Sequence, residues 1–163
     1  MSVLKNKKII KKKKPILVAV SGYFNPLHVG HLDMIKMAKK LGDKLVVIVN
    51  NDKQVKLKGR VPFMSEDDRV TIVKSLRDVD QVVLAVDDYR FDDGEVPVIK
   101  TLAKLKPDIF ANGGDRKNLA NVPEAKVCKK CGIKLVDGLG QKIRASSELI
   151  AKAAVTKKKI NKK

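Results

Sequence analysis

A chain of 163 residues with two Cys and no Trp is long enough for one ordinary domain whose core needs no disulfide or structural metal, and is cramped for two. The formal charge of +18 points at first to nucleic acid, but residues 1–14 hold seven lysines and residues 151–163 hold six, with no acid in either stretch. Without those thirteen, twenty-three Lys and Arg face eighteen acids, about +5, an ordinary globular balance that excludes a wholly basic binding protein.

The two ends contain too little apolar material to bury and read as solvated tails, 1–14 and 156–163, around a domain spanning 15–155; the second tail begins as the frayed end of a helix. Their lysines leave non-specific contact with nucleic acid open. The start has no apolar segment followed by a small-residue cleavage site, and no stretch approaches the length of a membrane span. Two cysteines fit a reducing compartment, so a cytoplasmic location is expected.

In chain order, ILVAV (16–20), KLVVIVN (44–50), QVVLAVD (81–87), DIFAN (108–112) and IKLVD (133–137) are short, rich in Val and Ile and nearly continuous in apolar character, as strands buried on both faces are. Helical spacing alternates with them. HLDMIKMAKKLG stops at Gly42, SEDDRVTIVKSL opens on Ser65 as N-cap with Asp68 three residues on, VPVIKTLAKL and PEAKVCKKCG follow, and SSELIAKAA closes the series. This alternation predicts a single Rossmann-like, doubly wound α/β domain with a five-stranded parallel sheet.

Such sheets bind ligands beyond the carboxyl ends of their strands, where the strand order reverses. The segment SGYFNPLHVGH lies there, at the end of the first strand and the start of the first helix, and it contains both histidines of the chain. A helix N-terminus offers unpaired N–H groups, Gly22 and Gly30 permit close backbone approach, and His28 and His31, three apart, point to one side. Together they form an anion cradle.

GYFNPLHVGH resembles the G-x-F-[DN]-x-x-H-x-G-H signature of the cytidylyltransferase-like nucleotidyltransferases. In order after it, NNDKQVKLKGR resembles the family's basic loop, EDDRVTIVKSLRDVDQVV its E-x-x-R helix, KPDIFANGGDR its P-D-x-x-x-x-G-G-D segment, and KIRASSELI the [ST]-[ST]-x-x-I motif before the last helix, so the likeness spans about residues 15–152.

The resemblance implies transfer of CMP or AMP from a nucleoside triphosphate to a small phosphorylated alcohol or sugar, with release of pyrophosphate. It implies magnesium carried with the triphosphate and no separate protein-bound metal. The reaction needs in-line positioning and stabilisation of negative charge rather than a protein nucleophile. By the same likeness His28 and His31, with Lys56 and Lys58 from the basic loop, are candidate catalytic groups. Gly22, Tyr23, Phe24, Asn25, Gly30, Gly113, Gly114, Asp115, Arg144, Ser146 and Ser147 are candidates for the nucleotide. Arg60 and Arg69 are candidates for the substrate, with an ion pair to Glu66 or Asp67 on the helix surface as the alternative for Arg69. Size and motif order lean toward CTP. Asn25, QKIRAS in place of R-T-x-G-I-S, and Arg116 at a position often aromatic pull toward ATP, as in heptose-phosphate adenylyltransferases.

CKKC at 128–131 lacks a second ligand pair and sits late in a helix, so packing is its expected role. DDYRFDDGEV at 87–96 reads as a solvated acidic loop rather than a specificity lid. A nucleic-acid module is disfavoured by the scarcity of aromatics, four Phe and two Tyr. A class I aminoacyl-tRNA synthetase would need tRNA-binding parts for which there is no room, and a non-catalytic scaffold would not need the histidines and serine pair. The nucleotide, the acceptor and a homodimeric state are left open.

Overall fold

The computed structural model describes residues 13–113, 122–140 and 145–160, with side chains through Val155. Gly114, Asp115, Arg116, Lys142 and Arg144, and nearly all of the first lysine-rich end, lie outside the described residues. The elements are β1 (Leu17–Gly22), α1 (Val29–Lys39), β2 (Lys44–Val49), α2 (Asp52–Leu57), α3 (Glu66–Lys74), β3 (Gln81–Leu84), α4 (Ile99–Leu105), β4 (Ile109–Gly113), α5 (Ala125–Cys131), β5 (Lys134–Leu139) and α6 (Ser146–Ile160).

All five strands are parallel, in the order β3-β2-β1-β4-β5. The near-continuous apolar runs are explained by a core on each face. Val18, Val20, Leu45, Val47 and Ala111 pack on one side with Met34, Ile35 and Ala38 of α1 and Val73 of α3. Ala19, Ile48 and Phe110 pack on the other with Val98, Leu102 of α4, and Val127 and Cys128 of α5. Cys128 is therefore core, as expected, and burial pushes its thiol up to about 11.

The two edges of the sheet are treated differently. At the amino ends, aspartates hold strand-entry N–H groups: Asp43 accepts from Ile16 at 2.7 Å, Asp108 from Leu17 at 2.8 Å and Asp80 from Leu45 at 2.6 Å. The Leu17 bond keeps Asp108 below the usual carboxylate range, and Lys39, followed by the Leu45 bond, does the same for Asp80. The carboxyl ends of β1 and β4 instead open on a crevice, because the chain leaves β1 toward β2 on one side while β4 lies on the other.

Two local predictions are corrected. The basic segment after β2 is not a loop throughout. Asn51 caps α2 by accepting the Gln54 N–H at 2.8 Å while Gln54 Oε1 accepts the Asn51 N–H at 3.1 Å, a capping box hidden among lysines. The third strand also ends at Leu84, not at residue 87. Past it, Thr101 Oγ1 accepts the Val86 N–H, and the buried Asp87 carboxylate accepts N–H groups of Lys100 and Thr101, so α4 takes over the hydrogen bonds a longer strand would have used. Ser65 does cap α3, accepting the Asp68 N–H at 3.1 Å. No helix among the described residues is long and apolar enough to cross a membrane.

Candidate active site

A cavity of about 540 Å³ lies at the carboxyl ends of the strands. His28 is the N-cap of α1 and His31 its third residue, so one helical turn superimposes the two rings. Their centroids are 3.8 Å apart and their planes 21° from parallel. His31 Nδ1 accepts the backbone N–H of His28 at 3.3 Å, which leaves the ring proton on Nε2. Burial, with the neighbouring His28 second, lowers His31 to about 4, so at neutral pH it is an uncharged donor. Gly30 lines the cavity beside them, within the first turn of α1, where the His31 N–H donates to His28 O at 2.9 Å.

Lys58, Arg60, Ser146 and Ser147 join these residues in the cavity wall. The serines begin α6, and Ser146 Oγ donates to Pro26 O at 2.9 Å, fastening that helix to the loop between β1 and α1. Lys58 Nζ is paired with Glu95 Oε2 at 3.2 Å. Thus the segment expected to be a solvated acidic loop enters the site: Glu95 and Val96 line the cavity, while Asp88 pairs with Lys53 and Lys100 outside it.

Of the other sequence candidates, Gly22, Tyr23 and Gly113 also line the cavity. The missing side chains of the two glycines make room for protein atoms. A Cβ on Gly22 would come within 2.8 Å of Phe24 Cζ, and one on Gly113 within 2.7 Å of Met34 Sδ. Phe24, Asn25, Lys56 and Arg69 do not line the cavity. Phe24 is buried, with its ring edge-on to His31 at 4.9 Å between centroids, so it supports the histidine from behind. Asn25 is also buried; its Oδ1 accepts from Phe63 N at 2.6 Å and its Nδ2 donates to Val61 O, which pins the 61–64 segment to the first loop. Lys56 is exposed on α2.

Arg69 is neither a surface ion pair with Glu66 or Asp67 nor a cavity residue. It is fully buried, and its guanidinium donates to Tyr23 O at 2.7 Å, Asn50 O at 2.6 Å and Asp52 Oδ1 at 2.6 Å. Glu66 instead accepts the Asp52 N–H at 2.7 Å. Arg69 thereby ties α3 to the chain just beyond β1 and β2, behind the cavity floor. Its planar fork explains why this helix carries arginine.

Ser21, Asn50, Pro123 and Glu124 were not singled out from sequence although they line the cavity, and Asn112 was considered only for its backbone. Asn112 occupies the last turns of a strand pattern, where an amide looks like an ordinary strand end, and Glu124 looks like a surface residue at a helix start. On β5, where its register with β4 shifts between Ala111 and Gly113, Asp137 has both carboxylate oxygens buried without a hydrogen-bond partner among the described residues.

The cytidylyltransferase-like family model matches residues 19–137 of the chain. "FAD synthase" of Pyrococcus abyssi is 44% identical over 102 residues, covering 62% of this chain and 64% of that protein. The match thus spans just under two thirds of that relative's length. "Bifunctional protein HldE" of Streptomyces coelicolor is 35% identical over 152 residues, covering 89% of this chain and 30% of that one. Among solved structures, that of "the lipopolysaccharide core biosynthesis protein" from Thermoplasma volcanium superimposes with a TM-score of 0.60 at 32% identity, over 78% of this chain and 98% of that one.

Proposed function

Because the chain belongs to the cytidylyltransferase-like family, we propose that it is a nucleotidyltransferase acting on a nucleoside triphosphate and a small phosphomonoester. An oxygen of the acceptor phosphate attacks the α-phosphorus, the bond from that phosphorus to the α,β-bridging oxygen breaks, and pyrophosphate leaves. The acceptor oxygen is already anionic, so no base or protein nucleophile is required.

The observation that carries this reading is the stacked His28–His31 pair on the first turn of α1, facing the start of α6 across one cavity. His31 presents its Nε2–H without needing a positive charge, and the N–H groups of both helix starts supply fixed positive potential. Donors held in place where charge builds cost no reorganisation at the moment of transfer. Lys58 and Arg60 grip phosphate oxygens, Lys58 by exchanging Glu95 for the ligand. Ser147 and the α6 N–H groups hold the outer phosphates, while Ser146, Gly22, Gly30 and Gly113 shape the nucleotide side.

Among the described residues no three His, Cys, Asp or Glu side chains are grouped to hold a metal. Magnesium would arrive with the triphosphate, ligated chiefly by phosphate oxygens and water. It would neutralise charge on the leaving pyrophosphate.

The relatives called FAD synthase support ATP over CTP, since the nucleotide half of FAD is AMP. The name of the solved neighbour supports a phosphorylated sugar as one acceptor class. Pyrophosphate release, measured with magnesium for each of four triphosphates against a panel of phosphomonoesters including FMN, tests the reading. Release with ATP and one acceptor class is expected, and none from any pair would overturn it.

A further inference from the structure

On the side of the cavity made by α4 and α5 the wall changes character. Glu124 stands at the N-cap of α5 but does not cap it; its Oε1 reaches across to accept the Val98 N–H at 3.1 Å, where α4 begins. The residue is only 8% exposed and yet lines the cavity, so besides Glu95 a second carboxylate is held in a fixed place inside it. Tyr23 and Asn112 line the same cavity, and Tyr23 Oη and Asn112 Nδ2 are buried in its wall without a hydrogen-bond partner among the described residues. Burial raises the Tyr23 phenol to about 12, and the Glu95 and Glu124 charges act on it in the same direction, so it keeps its proton and stays a donor.

Buried polar groups are almost always paired, so two such donors beside a fixed carboxylate mark a surface made for a ligand. We propose that Glu124 is the specificity-determining residue for the acceptor, taking a hydroxyl hydrogen of a phosphorylated polyol or sugar while Tyr23 and Asn112 donate to its oxygens. This rests on the nucleotidyl-transfer reading above. Hydroxyl groups donate and accept together, and so can donate to the carboxylate while accepting from both donors. A second anionic group would be repelled by Glu124, and an apolar tail would leave both donors, Tyr23 Oη and Asn112 Nδ2, unsatisfied. A free sugar phosphate and the ribityl chain of a flavin phosphate present the same run of hydroxyls.

The test is steady-state pyrophosphate release with ATP and magnesium, using glycerol 3-phosphate, glucose 1-phosphate, FMN and, as an acceptor without hydroxyls, propyl phosphate. A hydroxylated acceptor is used in clear preference to propyl phosphate. Glu124→Gln, which keeps the size and an acceptor for Val98, raises KM for that acceptor by about tenfold and leaves KM for ATP within about twofold. Tyr23→Phe, which removes only an unpaired hydroxyl, also raises the acceptor KM while keeping the unfolding midpoint, and so serves should Glu124→Gln fold poorly. Turnover that treats propyl phosphate as well as the others, or acceptor KM values unmoved by both substitutions, overturns the assignment of Glu124 while nucleotidyl transfer stands. No turnover with any acceptor, with ATP or with CTP in its place, overturns nucleotidyl transfer itself, and this assignment with it. Preference among the three hydroxylated compounds separates a free sugar or polyol from a flavin source.

Discussion

His28 and His31 are stacked at 3.8 Å, and the backbone N–H of the first donates to Nδ1 of the second. The two rings are therefore one unit: the residue that caps the helix also sets the tautomer of its partner. Replacing either by alanine lowers turnover by about 100-fold, the scale for losing a donor to transition-state charge. The double variant falls well short of the product of the two losses, because each ring positions the other. Turnover at saturating substrates with circular dichroism as a fold check measures this. Fully multiplicative losses would show that the rings act independently.

Acid should weaken the fold through His31. Its pKa is about 4 in the folded protein against an ordinary 6.5, so between those values the unfolded chain binds the extra proton. The stability is fully present above about pH 6.5 and is lost as pH falls toward 4. Thermal melts from pH 8 to pH 4 should show the midpoint dropping in that window, and His31→Gln should drop less over the same interval. Identical pH slopes for the two proteins would contradict the burial of a neutral ring.

Arg69→Met should destabilise the protein by about 3 kcal/mol, because it removes the partner of Asp52 and strips two buried carbonyls of their donor. Arg69→Lys should recover little, since one ammonium cannot reproduce the planar fork. Urea unfolding measures both. A loss below about 1 kcal/mol for Met would mean that the clamp is not needed to hold β1, β2 and α3 together.

Gly22→Ala should cost about 1–3 kcal/mol by driving a methyl group into the Phe24 ring. Phe24→Leu made in the same chain should give back part of that loss, a coupling that a double-mutant cycle reads directly. Additive costs would place the conflict elsewhere.

Nucleotide choice can be read without knowing the acceptor. A ligand at 100 times its dissociation constant stabilises by roughly 2.7 kcal/mol, enough for a clear thermal shift. With magnesium, ATP should shift the unfolding midpoint and CTP should shift it less. A shift with CTP alone would reverse the preference for ATP.

The fold was legible because every strand buries both faces, which leaves an unbroken apolar run such as LVVIV in the sequence. The histidine cradle was legible because its parts are adjacent in the chain. What escaped was made by distance. Arg69 takes its meaning from carbonyls at Tyr23 and Asn50, and Glu124 from the N–H of Val98. Neither contact leaves a spacing to be read. The short helix α2 was masked in another way, since its capping box sits among lysines that suggest a loop.

The bond from Ser146 Oγ to Pro26 O joins residues 120 positions apart. During synthesis on the ribosome, β1 and the histidine turn emerge long before the serine that fastens α6 to them. Contacts of such separation are costly to close and form late. The nascent chain can thus build most of its sheet while the cavity is still missing a wall. Closure of the cavity consequently waits for the last helix to dock, and comes in a single late step instead of by degrees.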